Sequence, residues 1–183
     1  MMNLSALKID PEFQGKIPPL NAEEEHILEQ NMIQERRLLN PIIIWNGYIL
    51  DGHSRYRILK HHPEIAFEVK EIQLTDRYAA LAWICQNQLG RRNLDPERRK
   101  FLMGKAYENE KLSVGAPVGN QNKVNQCGQN VHIDLHKRTC ERIAERNGVN
   151  SKFVQRAEKY AKGVDAAEAA VPGAMEEILT GHI

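Results

Sequence analysis

Asp51-Gly52-His53-Ser54-Arg55-Tyr56-Arg57 places a carboxylate, an imidazole, a hydroxyl and two guanidinium groups within one short run of chain. Arg55 and Arg57 are suited to clamping phosphate oxygens, and Gly52 lets a ligand approach the backbone closely. Asp51 is a candidate to accept a proton or hold a metal ion, and His53 and Ser54 are candidate hydrogen-bond donors. From spacing alone a structural reading stands equally: Asp-Gly is a common turn, and Arg55 can pair with a helix carboxylate.

The elements around this cluster are readable. Ile42-Ile43-Ile44-Trp45 is an apolar run that meets Asn46-Gly47, a strong hairpin signal because both positions tolerate positive φ. Tyr48-Ile49-Leu50 is the returning strand, and Tyr56, Ile58 and Leu59 give a following short helix an apolar side. The cluster therefore falls at a strand-to-helix junction, where free amides of a helix N-terminus favour an anion.

Residues 1–20 read as an extended arm with one short strand. Asn21, followed by Ala22-Glu23-Glu24, starts a helix over about 22–33. Proline after His61-His62 ends the motif helix, and Ile65, Phe67 and Val69 alternate as a strand. Thr75 is the expected cap of a second long helix with Tyr78, Leu81, Ala82, Cys85 and Leu89 on its buried face, stopped by Gly90. Asp95-Pro96-Glu97 starts another, with Phe101, Leu102 and Ala106 inside, running to about Lys111.

From Ser113 to Asn130 the composition shifts to Gly, Asn, Gln, Pro and Val without apolar period, which reads as a flexible linker. Beyond it, Thr139 is a candidate cap for a helix carrying Ile143 and Ala144, Gly148 makes a turn, and Asn150 or Ser151 caps a helix carrying Val154 and Ala157. A small residue at the crossing, a turn glycine and locking apolar residues are what a helix-turn-helix requires. Between Lys137 and Lys162 basic residues exceed acidic ones by five. Such an excess suits DNA phosphates, and the second helix would offer Asn150, Ser151, Lys152, Gln155, Arg156 and Lys159 to a major groove. A packing unit with a solvated basic face is the plainer reading of the same helices.

Composition sets the limits. With 42% hydrophobic and 27% charged residues the 183-residue chain can bury a real core, and its net charge of +1 confines any polyanion preference to a local patch. No apolar run is long enough to span a bilayer and the N-terminal MMNLSALKID lacks a signal peptide's apolar core, so no membrane partner and a cytoplasmic location are expected. Cys85, Cys127 and Cys140 form no even disulfide framework. Cys127, His132, His136 and Cys140 lack the close cysteine pair of common zinc folds, and no metal site is assigned to them.

Asp51-Gly52-His53-Ser54-Arg55 resembles the Asp-Gly-His-(Ser/Thr)-Arg motif of the ParB/sulfiredoxin-like superfamily, and Asn40-Pro41-Ile42-Ile43-Ile44 resembles the strand that leads into it. Asn93-Leu94-Asp95-Pro96-Glu97 is similar to the helix start that follows the ParB nucleotide motif, and a helix-turn-helix in the expected order completes the resemblance. It implies an α+β protein in three parts: a ParB/sulfiredoxin-like domain (1–112) with a small mixed sheet and helices, a linker (113–136), and an all-α helix-turn-helix domain (137–183).

The resemblance also implies a nucleotide site made by Gly52, Ser54, Arg55, Arg57, Asn87 and Gln88, taking CTP or another nucleotide with Mg2+. His53 and Ser54 stand where ParB proteins carry a glutamate and an arginine, and Asn87-Gln88 stands where ParB carries a glutamate-asparagine pair. Losing that glutamate implies binding more than turnover, leaving at most a weak nucleotide triphosphatase. The motif is nearer that of the superfamily's ADP-dependent free serine kinase, which implies catalytic roles for Asp51 and His53, although that enzyme has no helix-turn-helix. Sulfiredoxin needs a cysteine where His53 stands, so reductase activity is not expected, and no second carboxylate cluster supports the nuclease label that some ParB-like domains carry.

The expected function is a homodimeric ParB-like protein of the partition or transcription-regulation type that binds double-stranded DNA. The alternative is a nucleotide-dependent enzyme of the same superfamily, kinase-like or nuclease. The short stretch after the helix-turn-helix argues against a full chromosome-segregation clamp.

Overall fold

The computed structural model describes residues 4–91, 94–113 and 137–181, and the chain divides into two compact units, residues 1–74 and 75–183. Asp10 and Pro11 open the first helix, α1 (Pro11–Gly15), with the Asp10 carboxylate accepting from the amides of Glu12 and Phe13. Residues 1–20 are thus not only an extended arm. A cap followed by proline at the first helical position is a local start signal, and Phe13 secures it by burying its ring 6.4 Å from both Trp45 and Tyr48. The α2 helix (Ala22–Glu35) begins with the expected reciprocal cap: Glu24 N donates to Asn21 Oδ1 at 2.8 Å, and Asn21 N donates to Glu24 Oε2 at 3.0 Å.

The hairpin forms between β1 (Ile42–Trp45) and β2 (Tyr48–Asp51), with Asn46 and Gly47 at φ 48° and 79°. β1 lies in the middle of a three-stranded sheet, antiparallel to β2 and parallel to β3 (Val69–Glu71), with the α3 helix (His53–His61) between β2 and β3. Register slips between Ile43 and Ile44, so β2 carries one extra residue there and Ile49 and Leu50, although adjacent, are both fully buried. The expected strand over Ile65, Phe67 and Val69 shortens to Val69–Glu71, because the backbone of Ala66 pairs with Arg36 and Leu38 instead. Leu7, Met32, Ile42, Ile44, Ile49, Tyr56, Ile58, Leu59 and Ile65 form the core of this unit.

The second unit is helical: α4 (Arg77–Leu89), α5 (Pro96–Ser113), α6 (Thr139–Asn147), α7 (Ser151–Ala170) and α8 (Ala174–Leu179). Asp76, not Thr75, caps α4 by accepting from Ala79 N, and Tyr78 is exposed while Leu81, Ala82, Cys85 and Leu89 are buried as expected. Thr139 is the first residue of α6 and not its cap, which is Arg138. Gly148 at φ 65° ends α6, and Asn150 Oδ1 accepts from Lys152 N to start α7.

The division between units departs from the expected boundary in 113–136, of which residues 114–136 lie outside the described residues, as do Cys127, His132 and His136. Helices α4 and α5, expected with the strands, share one core with α6, α7 and α8: Phe101, Leu102, Met103, Ala106, Ile143, Val154, Ala157, Ala161 and Leu179 all enter it. Apolar periodicity shows that a helix has an inner face but not which partner will cover it. No described helix is long and apolar enough to cross a membrane.

α5 and α7 cross without room for a side chain at Gly104. A Cβ there would overlap the Ala157 carbonyl oxygen and come within 2.8 Å of the Ala161 Cβ. Gly163, exposed on α7, has nothing within 4 Å of such a Cβ. Gly104→Ala is therefore expected to lose about 1–3 kcal/mol of stability despite better helix propensity, and Gly163→Ala to gain up to about 1 kcal/mol. Urea denaturation of the two variants checks the opposite signs.

Candidate functional site

The first candidate site is the corner where β2 becomes α3. Gly52 is the helix cap residue at φ 104°, ψ 20°, a conformation that side-chain-bearing residues rarely adopt. A Cβ at Gly52 would lie 3.0 Å from Arg55 Nη2 and 3.3 Å from Ile42 Cγ1, so glycine also makes room for the guanidinium folded over it. No side chain caps α3, and its helical hydrogen bonding begins with Tyr56 N donating to Gly52 O at 2.8 Å. The amides of His53, Ser54 and Arg55 thus precede the first helical bond, the arrangement that favours an anion.

Charge in the corner is internally matched. Arg55 Nη2 lies 2.8 Å from Asp51 Oδ2, with both side chains less than one-fifth exposed. Arg57 points to α2 and pairs with Glu25 at 2.9 Å, a more exposed contact that solvent screens. Ser54 is half-buried beside them. His53 is 6% exposed, and neither ring nitrogen has a hydrogen-bond partner among the described residues. Burial pushes its pKa below the ordinary value of 6.5; the Asp51 carboxylate opposes this and the Arg57 charge adds to it.

Asp51, Gly52, His53, Ser54 and Arg55 therefore come together, while Arg57 is engaged toward α2. Asn87 and Gln88 belong to α4 in the second unit, where Asn87 is exposed and Gln88 is fully buried, its side-chain amide without a hydrogen-bond partner among the described residues. Glu25, which holds Arg57, was absent from the sequence candidates. Its contact spans two helices far apart in sequence, so no local spacing marks it.

The second candidate site is the outer face of α7. Of the eight basic residues between 137 and 162, five are ion-paired: Lys137 with Glu145, Arg138 with Glu141, Arg142 and Arg146 with Glu110, and Lys162 with Glu158. Lys152, Arg156 and Lys159 make no ion pair among the described residues, and all three are exposed together with Asn150 and Gln155, with Ser151 half-buried. Their spacing of four and three residues sets them on one stripe, opposite buried Val154, Ala157 and Ala161.

No protein-family model matches this chain, and no curated protein sequence matches it. Among solved structures it is similar to a Pnob8-like ParB-N domain, with a TM-score of 0.51 and 23% sequence identity. The match covers 61% of this chain and 44% of that one, so less than half of the solved chain's length is represented. The chain has a ParB-N-like fold: α+β, with a small three-stranded sheet and mostly helices.

The two histidines at the ends of α3 have opposite proton linkage. His62 lies 2.8 Å from Glu29 and 3.2 Å from Glu64; the Glu29 hydrogen bond raises its pKa most, burial opposes it, and the Glu64 contact adds a further rise, leaving the pKa above 6.5. Its pairing stabilises the fold below the ordinary pKa and is lost as pH rises through the raised one. Neutral His53 does the reverse: its burial is tolerated above pH 6.5, and stability falls as pH drops from 6.5 toward the lowered pKa. NMR titration of the imidazole protons is expected to put the His53 midpoint below 6.5 and that of His62 above it; matching midpoints would contradict the two environments.

Proposed function

We propose that this chain is a ParB-like DNA-binding protein in which α6, the Gly148 turn and α7 act as a helix-turn-helix, and the Gly52 corner binds a nucleotide phosphate. The observation that carries the reading is the unpaired cationic stripe Lys152, Arg156 and Lys159. Everywhere else on α6 and α7 basic side chains are matched by carboxylates. Cations left on one helix face are what a duplex phosphate backbone neutralises, while Asn150, Ser151 and Gln155 supply hydrogen bonds to base edges. Paired half-sites call for a twofold homodimer, and the protein acts on DNA in the cytoplasm, in partition or in transcriptional regulation.

At the corner, the first amides of α3 and Arg55 fit a phosphate group, and glycine at 52 admits it. CTP or another nucleotide with Mg2+ is the proposed ligand, with Gly52, Ser54, Arg55 and Arg57 holding phosphate oxygens. The corner's own carboxylate, Asp51, is held by Arg55, and a bound Mg2+ would supply charge neutralisation there. Buried, neutral His53 beside Asp51 favours one second reading, a nucleotide-dependent enzyme in which these two residues exchange a proton with the substrate.

Arg156→Ala and Lys159→Ala are each expected to weaken duplex binding and to flatten the dependence of log K on log salt by about one. Arg138→Ala, which removes a residue already paired with Glu141, is expected to change both much less. Titration of labelled duplex at several salt concentrations checks this; three indistinguishable variants would contradict the DNA reading. Calorimetry with CTP, ADP and ATP on wild type and Arg55→Ala tests the corner, where binding lost in the variant supports the phosphate site and turnover with product release supports the enzyme.

A further inference from the structure

The exposed stripe of α7 includes one residue that phosphate contact does not explain. Phe153 is 40% exposed at the third position of the helix, between Lys152 and Val154 and one turn before Arg156. It is absent from the core of its unit, and no ring or cation contact engages it among the described residues. The aliphatic Ile143, Val154 and Val164 of α6 and α7 are at most 2% exposed, and Tyr160 is partly buried against the same core. A phenyl ring beside Lys152 and Arg156 does not bond phosphate, and this one lies outside the core cluster of its unit.

On the proposed reading, this ring sits at the N-terminal end of the helix that enters the major groove. There the edges of the base pairs present donors and acceptors together with one apolar group, the C5 methyl of thymine. We infer that Phe153 is a specificity-determining residue that packs on a thymine methyl within the recognised site. Lys152 and Arg156 hold the flanking phosphates and so fix where along the duplex the ring lands. The inference rests on the DNA reading of α7 and adds to it the identity of one base. Burying a single methyl is worth about four-fold in affinity.

The test uses the full chain and a pool of random duplexes. Bound duplexes are selected and sequenced, and each thymine of the selected site is then replaced in turn by deoxyuridine, which removes only the methyl. One thymine per half-site is expected to weaken wild-type binding about four-fold when replaced. Phe153→Ala should bind the parent site more weakly and show no further loss at that thymine, and Phe153→Leu should keep part of the discrimination. A melting temperature for Phe153→Ala close to wild type separates this from misfolding.

Wild-type binding indifferent to every replacement would overturn the inference while leaving the DNA reading intact. So would a thymine penalty that persists in Phe153→Ala, or a variant that loses binding without any thymine dependence, which would make the ring a wedge between base steps. A change of oligomeric state in Phe153→Ala with unchanged duplex affinity would assign the ring to a second copy of the chain and overturn it likewise. Selection that enriches no duplex at all would remove the DNA reading itself.

Discussion

Gly104 stands where α5 passes α7, and the arrangement of the second unit depends on the contact it allows. The backbone of Ala157 occupies the space a side chain would need, and Ala161 follows one turn later. Once those two alanines face inward, the helical period sends Lys152, Arg156 and Lys159 outward. Charges on α5 then settle the flanks: Lys105 reaches Asp165 at 2.9 Å, Lys111 reaches Glu158 at 2.6 Å, and Glu110 takes Arg142 and Arg146. Close packing and charge matching together decide which cations stay available. On α7 those left over among the described residues, Lys152, Arg156 and Lys159, lie on one stripe of the helix that follows the Gly148 turn.

The first unit solves a different problem. A slip in the β1–β2 register buries both Ile49 and Leu50 and delivers Asp51 to the end of the strand, where only a residue tolerant of positive φ can turn the chain into α3. Arginines that would grip a phosphate are already held by carboxylates, Arg55 by Asp51 and Arg57 by Glu25. An anion at this corner therefore competes with side chains of the protein itself for the guanidinium groups, whereas the first amides of α3 have no side-chain cap to displace. His53, buried with no hydrogen-bond partner for either ring nitrogen among the described residues and its pKa lowered by burial, adds a titratable group to the corner.

Local features were legible in the sequence because local chemistry decides them. Asn46-Gly47 fixes the hairpin, Asn21 with Glu24 fixes the start of α2, and Asn150 fixes that of α7. The same logic, applied to Asp10-Pro11, marks α1, whose start signal lay in a stretch rich in prolines. Thr75 and Asp76 are both competent caps, and the carboxylate prevailed by accepting from Ala79. Long-range partners were not legible. Nothing local joins Arg57 to Glu25, assigns the inner face of α5 to α7, or buries Gln88 while exposing Asn87. The Asp51–Arg55 pair sits between, since the i, i+4 spacing permits it but does not require it.

The central claim is that the unpaired stripe of α7 binds a duplex through its phosphates. Its most direct measurement is the affinity of the whole chain for duplex DNA between about 50 and 200 mM salt, plotted as log K against log salt. Three phosphate contacts from Lys152, Arg156 and Lys159 give a slope of about −2.7 or steeper. A slope near zero, or no binding at the lowest salt, would contradict it.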